Sequence, residues 1–140
     1  MNRYCFPLVI GLITVAVLVL CISQVCQAEI GIASFYSTEC CRYNRDLRCP
    51  TASGKSLYDL ERSSIPFAAS WNYPFGTTLR VCRVNSHDQL WGESRCVDVQ
   101  VLDRGPARRL GRLIDLSRLA YQRLADLKTG TIRVTVERLP

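Results

Sequence analysis

The sequence predicts a small, mainly β domain of six short strands with one or two short helices; the pattern alone allows an all-β or an α+β domain, and a small closed barrel fits it. Three observations lead to this prediction. Four segments place apolar residues at alternating positions, which is the pattern of strands that bury one face, and two further segments are short apolar runs. One later segment has apolar residues at helical spacing. Residues 29–140 are enough for one compact domain with its own core, and a closed barrel leaves no strand edge exposed.

Alternation of apolar and other residues defines four of the predicted strands, and the second and fifth are short apolar segments. The last strand shows it clearly, since Ile132, Val134 and Val136 would all point to the same side of a sheet. The six predicted strands, in chain order, cover residues 29–37, 67–70, 78–84, 95–102, 113–115 and 131–138.

The fourth predicted strand leads into the part of the chain with the most candidate chemistry. Val99 and Val101 alternate along it, and the Asp-Arg-Gly-Pro run at 103–106 then ends it, because Gly frees the backbone and Pro cannot continue a ladder. Asp103 therefore stands where one apolar segment leaves the core, and Asp115 stands at the end of the next. A purely structural role is the alternative for both, since turns and helix starts commonly use Asp.

A helix is predicted directly after this segment. Ser117 is a suitable N-cap, because its hydroxyl can accept a hydrogen bond from a backbone N–H of the first turn. The apolar residues that would share one face of this helix are Leu116, Leu119, Ala120, Leu124 and Leu127.

The first 28 residues have the pattern of a secretory signal peptide. Arg3 supplies the positive end, an uncharged apolar run follows, and Ala28 is a small residue suited to cleavage. We expect cleavage after Ala28, which places the protein outside the cytoplasm. An uncleaved membrane anchor is the alternative, and only in that case would the protein contact a membrane.

Basic residues outnumber acidic ones, 18 to 12, for a formal net charge of +6. Such a balance favours an anionic partner surface. The one local cluster consists of Arg104, Arg108, Arg109 and Arg112. No stacking aromatic residues interleave with it, so it is more typical of a solvated loop than of a nucleic-acid site, and no nucleic-acid partner is predicted.

Five of the eight cysteines follow the leader. Cys82 and Cys96 flank one connection between neighbouring strands, so a cross-strand disulfide is predicted. Cys49 would pair with Cys40, or with the adjacent Cys41, and one thiol would remain. A zinc site that uses cysteines and His87 is the competing interpretation, but oxidation is favoured in an exported protein, so we predict no metal site.

Two motifs, VQVLDRGPARR at 99–109 and GRLIDLSRLAYQRL at 111–124, resemble the signature of the rare lipoprotein A family. These are double-psi β-barrel proteins related to expansins, and several act as lytic transglycosylases on peptidoglycan. The resemblance continues in order through matches at residues 32–36 (IASFY), 51–54 (TASG), 68–70 (AAS) and 74–77 (PFGT). It implies a six-stranded double-psi β-barrel for residues 29–140 and no cofactor.

The resemblance also implies roles for the two aspartates. Asp103 matches the family's catalytic aspartate in D-R-G-P, and we expect it to be the proton donor. Asp115 matches the D-L-S aspartate of expansin-type relatives, and we expect it to assist or orient. Two positions depart from the family pattern: Lys55 replaces a functional Glu, and Ser70 replaces a functional His.

Four further residues are candidate substrate contacts. Trp71 and Tyr73 are natural platforms for sugar faces, and Tyr36 is a further candidate. Arg104 would hold a muramoyl carboxylate. The alternatives are that the aromatic rings pack in the barrel and that Arg104 braces its turn.

These features together predict a secreted, monomeric cell-wall protein. We expect a lytic transglycosylase that cleaves peptidoglycan glycan strands to 1,6-anhydromuramoyl ends. The alternative is a non-catalytic, expansin-like protein that binds peptidoglycan or another polysaccharide. A weaker third hypothesis is a small basic protein that binds anionic partners through Arg108 and Arg109.

Overall fold

The computed structural model describes residues 28–43, 49–85 and 95–140. The strands are β1 (Glu29–Tyr36), β2 (Phe67–Ala69), β3 (Thr78–Arg83), β4 (Cys96–Asp103), β5 (Ile114–Ser117) and β6 (Ile132–Arg138). The α-helices are α1 (Leu57–Arg62) and α2 (Arg118–Leu124), and three short 3-10 segments cover Thr38–Tyr43, Arg108–Leu110 and Leu127–Thr129. The mainly β fold class, with six strands in a closed barrel and two short helices, is confirmed.

The strands close into a barrel in the order β1-β5-β2-β4-β3-β6, and β1 pairs with β6 to complete it. The pairs β1–β5 and β2–β4 are parallel, whereas the other four are antiparallel. Parallel neighbours cannot be joined by a tight hairpin. Consecutive strands such as β1 and β2, or β4 and β5, are not neighbours in the barrel, so their connections cross an intervening strand and supply the loops that surround the site.

The main core fills the barrel with the apolar residues that alternate along the strands. The inner faces of β3, β4 and β6 contribute valines and a leucine that are buried almost completely: Leu79, Val81, Val97, Val99, Val101, Val134 and Val136. Tyr121 and Leu124 of α2 are fully buried against them. Ser117 caps α2, since its Oγ accepts from the N–H of Ala120 at 3.3 Å. The helix ends at Leu124, so Leu127 lies beyond it and is only partly buried.

The helix α1 was not among the predicted elements. Its N-cap is Ser56, whose Oγ accepts from the N–H of Asp59 at 3.4 Å. Leu57 and Leu60 are buried on one face of the helix, against Phe67. The local signals were a serine cap and two leucines three residues apart, but six residues carry too little periodicity to identify a helix.

Two disulfides are present in the described part of the chain. Cys82 and Cys96 face each other in the β3–β4 register and are bonded to each other. Cys49 is bonded to Cys41, so the predicted pairing of Cys49 with Cys40 is wrong and the alternative partner is the right one. The reason is packing, because Cys41 is buried in the small apolar cluster of Leu57, Leu60, Phe67 and Leu102, against which Cys49 also packs.

Several sequence predictions fall on residues that the structure does not describe. His87 lies outside the described residues, as does the predicted signal peptide apart from Ala28. Within the described ranges, no group of side chains has the composition and spacing of a metal site. No helix in that part of the chain is long and apolar enough to cross a membrane.

Candidate functional site

The site is organised around Ala69, the last residue of β2. Ala69 pairs with Asp103 on β4 on one side and with Asp115 on β5 on the other. Asp115 is in turn opposite Ser34 of β1. Two interstrand spacings separate the two aspartate backbones, roughly 10 Å. Four neighbouring strands therefore bring both predicted carboxylates to one end of the barrel.

A bulge in β4 sets the position of Asp103. Ala68 pairs with Val101 but Ala69 pairs with Asp103, so Leu102 is the extra residue of the bulged strand. Leu102 is buried in the small apolar cluster outside the main core. This bulge explains why the apolar alternation of the strand slips by one residue just before the aspartate.

Backbone N–H groups orient the Asp103 carboxylate. Its Oδ1 accepts from the N–H of Ala52 at 2.7 Å and from the N–H of Arg104 at 2.8 Å. Ala52 belongs to the 51–54 motif, which a tight turn holds in place, since the N–H of Gly54 donates to the carbonyl of Thr51 at 2.8 Å. The motif thus lies at the site and acts through its backbone.

Ser34 and Arg112 hold Asp115. The Ser34 hydroxyl donates to Asp115 Oδ1, and Arg112 Nη1 donates to Ser34 Oγ at 2.9 Å. Burial raises the pKa of Asp115 above its ordinary value, while the Ser34 hydrogen bond and the Arg112 charge partly oppose the rise. Asp115 is therefore a carboxyl group whose neutral form is favoured by its surroundings.

Tyr36 lies close enough to Asp103 and Asp115 for their charges to affect it. Its ring packs edge-on against Phe67, with ring centroids 5.9 Å apart. Its hydroxyl is buried and has no hydrogen-bond partner of normal geometry among the described residues. Burial raises the pKa of Tyr36 strongly, and the charge of the neighbouring Asp103 raises it further. A buried hydroxyl without a partner is uncommon, because it loses its bonds to water without replacement.

Trp71 follows β2 and is an exposed aromatic residue, with 47% of its surface accessible. Its Nε1 donates to the carbonyl of Pro106 at 2.7 Å, which fixes the ring orientation. The guanidinium of Arg108 stands 4.9 Å from the ring centroid. Tyr73, by contrast, is partly buried against the main core.

Arg104 braces the loop after β2. Its Nη1 donates to the carbonyl of Ser70 at 2.7 Å and to the carbonyl of Tyr73 at 2.8 Å. The same guanidinium lies 3.8 Å over the Phe75 ring. These contacts match the bracing role that was the alternative to ligand binding.

The two positions that depart from the family pattern have ordinary surroundings. Lys55 is exposed and forms no ion pair with any residue that the structure describes, Asp103 included. Ser70 is fully buried, and its Oγ accepts from the N–H of Asn72 at 3.2 Å.

A pocket of about 230 Å³ lies beside Trp71; its lining residues are Trp71, Asn72, Pro106, Arg108, Arg112 and Leu113. Sequence reasoning missed Ser34, Ala52 and Arg112 as parts of the site. Ser34 and Ala52 fall within the recognised motifs, which was the available signal. Their contacts with the aspartates were not readable, because partners stand up to 81 residues apart in the chain.

Solved structures with the same fold include two of an expansin from Clavibacter michiganensis. One is a mutant in complex with cellohexaose (TM-score 0.56, 20% identity) and one is the apo protein (TM-score 0.55, 21% identity). Each comparison covers 81% of this chain and 51% of the expansin chain, so this chain spans about half of the expansin's length. A Streptomyces papain inhibitor also matches, with a TM-score of 0.54 and 22% identity over 81% of this chain and 96% of the inhibitor.

Identities this low show a shared fold and nothing more. No curated protein sequence matches the chain. A family model described as "Lytic transglycolase" matches residues 28–136, which is most of the chain. The chain therefore belongs to the lytic transglycolase family of double-psi β-barrel proteins, in agreement with its resemblance to rare lipoprotein A.

Proposed function

We propose that this protein is a secreted lytic transglycosylase that cleaves the glycan strands of peptidoglycan and leaves 1,6-anhydromuramoyl ends. The observation that supports it most is the pairing of Ala69 with both Asp103 and Asp115, because it places two carboxyl groups at one open end of the barrel. Two disulfides suit an exported protein. The expansin that binds cellohexaose gives a related fold with a glycan ligand.

Asp103 is the proton donor in this proposal. It stands nearer to solvent than Asp115, since its bond from Ala52 is exposed. Because two backbone donors occupy Oδ1, the reacting proton is carried on Oδ2. Asp103 protonates the glycosidic oxygen as the bond from that oxygen to C1 breaks. The 6-hydroxyl oxygen of the same sugar then forms a new bond to C1, and its proton returns to Asp103, so no water is consumed.

Asp115 assists from the deeper side of the site. Burial raises its pKa, so its surroundings weaken the ionised form of the carboxyl group that lies two strands from Asp103. Ser34 and Arg112 hold it in one orientation. We therefore assign Asp115 as a positioning residue and Asp103 as the catalytic one.

Turnover in this proposal is slow. Lys55 and Ser70 stand where the family pattern has Glu and His, and loss of an assisting acid or base lowers rates by about 10²–10⁴-fold. The second candidate function, non-catalytic glycan binding of the expansin type, is favoured by the same two substitutions. The exposed ring of Trp71 lines the pocket and is suited to bind a sugar in either function.

Product analysis with purified peptidoglycan tests the proposal. The parent should release soluble products with 1,6-anhydro ends, and Asp103→Asn should abolish them while it retains binding to insoluble peptidoglycan. Asp115→Asn should lower the rate less. The double variant Lys55→Glu with Ser70→His should raise it.

Three outcomes of this experiment would change the assignment. Anhydro products from Asp103→Asn at the parent rate would exclude Asp103 as the donor. If the rate fell more in Asp115→Asn than in Asp103→Asn, Asp115 would be the proton donor and Asp103 the positioning residue. Binding without any product from the parent would leave the non-catalytic function.

A further inference from the structure

The pocket beside Trp71 carries an unusual pairing of an aromatic ring with an unneutralised cation. The Arg108 guanidinium stands 4.9 Å from the Trp71 centroid. Within the described residues, Arg108 has no carboxylate partner, whereas Arg80 and Arg118 do have one. A guanidinium that lies on an aromatic face keeps its N–H donors at its edge, where they remain able to bind an anion in a bidentate manner.

Arg112 places a second guanidinium on the wall of the same pocket. One of its nitrogens donates to Ser34, but a guanidinium has five N–H donors, so this bond uses only part of its capacity. Asn72, also in the wall, donates to Glu29 at 3.2 Å and so engages the carboxylate at this rim. The pocket of about 230 Å³ thus combines a fixed tryptophan with two cationic side chains.

We propose that this pocket, defined by Trp71, Arg108 and Arg112, is an anion subsite that binds the carboxylate of an acidic sugar. The inference rests on the proposed function, since it assumes that a glycan binds at the site of Asp103 and Asp115. A sugar ring that enters the pocket packs against the exposed part of the Trp71 ring. Its carboxylate then reaches the edge of the Arg108 guanidinium. The consequence is a preference for acidic over neutral glycans of equal length.

Two kinds of acidic sugar carry such a carboxylate, one on a substituent at C3 and one at C6. The affinities for three hexasaccharides distinguish between them. The neutral reference is chitohexaose. Peptide-free peptidoglycan hexasaccharide carries the carboxylate on the lactyl ether at C3 of alternate sugars. Chitohexaose oxidised at C6 carries it on the ring substituent instead. Isothermal titration at constant ionic strength measures the affinity of the full-length mature protein for each.

Arg109 supplies a matched control, because it is the exposed neighbour of Arg108 and does not line the pocket. The parent should bind at least one acidic hexasaccharide on the order of tenfold more tightly than chitohexaose, as one charge-assisted bidentate contact would allow. Arg108→Gln should remove most of this preference and leave the affinity for chitohexaose nearly unchanged. Arg109→Gln removes the same charge and should preserve the preference, while Trp71→Ala should weaken all three ligands.

The outcomes separate this inference from the proposed function. Equal affinity of the parent for neutral and acidic hexasaccharides would overturn the anion subsite while glycan binding stands. Equal losses in Arg108→Gln and Arg109→Gln would also overturn it, since only net charge would then matter. No binding of any hexasaccharide would overturn both. Preference for the C3 or for the C6 carboxylate would identify the source.

Discussion

Asp103 and Asp115 lie on either side of a single strand, because Ala69 of β2 pairs with both of them. The two aspartates are twelve residues apart in the chain, yet the strands that carry them are not neighbours. Their different surroundings follow from this arrangement. Asp103 takes two backbone N–H bonds at the rim, and Asp115 takes the Ser34 hydroxyl at greater depth.

The raised pKa of Asp115 predicts how stability depends on pH. Below the ordinary value of 3.8, the group is neutral in the folded and the unfolded chain. As the pH rises from 3.8 through the raised pKa of the folded state, the unfolded chain ionises first, so the contribution of Asp115 to the free energy of unfolding falls. Asp115→Asn should remove this decline, as urea unfolding over a pH series would measure.

Asp98 provides a control of opposite sign for that measurement. Its hydrogen bond with Arg80 lowers its pKa, so Asp98 stabilises the folded state when the pH is above the ordinary pKa of an aspartate. This contribution to the free energy of unfolding is lost as the pH falls through the lowered pKa of the folded state. Asp98→Asn should therefore flatten the acid side of the profile, by a small amount because the pair is exposed. If the free energy of unfolding of Asp115→Asn depended on pH as that of the parent does, the burial of Asp115 would be contradicted.

Tyr36 and Tyr121 form a second matched pair, because both have buried hydroxyls without a hydrogen-bond partner of normal geometry among the described residues. Removal of such a hydroxyl relieves an unsatisfied group, so Tyr36→Phe and Tyr121→Phe should each leave the free energy of unfolding unchanged or raise it by up to about 1 kcal/mol. Only Tyr36 adjoins Asp103. Tyr36→Phe alone should reduce glycan turnover; equal activity of the two variants would assign Tyr36 to packing.

We expect Arg104 to contribute to the stability of the fold rather than to ligand binding. Arg104→Ala removes two hydrogen bonds from a charged donor to the carbonyls of Ser70 and Tyr73, and should lower the free energy of unfolding by about 2–3 kcal/mol. Arg109→Ala, at an exposed position, should change it by less than about 0.5 kcal/mol. Denaturant unfolding measures both. Unchanged stability with lost glycan binding would instead make Arg104 a ligand contact.

The two disulfides should contribute differently to stability because they close loops of different length. Loop-closure entropy gives about 3 kcal/mol for Cys82–Cys96, separated by 14 residues, and about 2.5 kcal/mol for Cys41–Cys49, separated by 8. Paired serine variants, unfolded in urea without reductant, measure each loss. Peptide mapping without reduction that finds Cys49 joined to another cysteine would contradict the structure.

Much of the fold was readable from local patterns alone. Alternating apolar residues, or short apolar runs in the second and fifth strands, located all six strands to within a residue or two, and Ser117 marked the start of α2. Asp103 and Asp115 were identifiable because each ends an apolar segment and lies in a recognised motif. These features depend on near neighbours in the chain, for which spacing along the sequence is a direct measure of spacing in space.

The tertiary structure decided what those residues do to one another. The bond from Arg112 to Ser34 and the braces from Arg104 join residues 78, 34 and 31 positions apart. The pairing of Cys49 with Cys41 joins two side chains that pack in the cluster of Leu57, Leu60 and Phe67. A sequence specifies strands through periodicity, but the order in which the strands close the barrel determines which distant side chains meet. For that reason the sequence alone determined the carboxylates and the barrel that holds them, and only the folded barrel determined their hydrogen bonds, their burial and the cationic pocket beside Trp71.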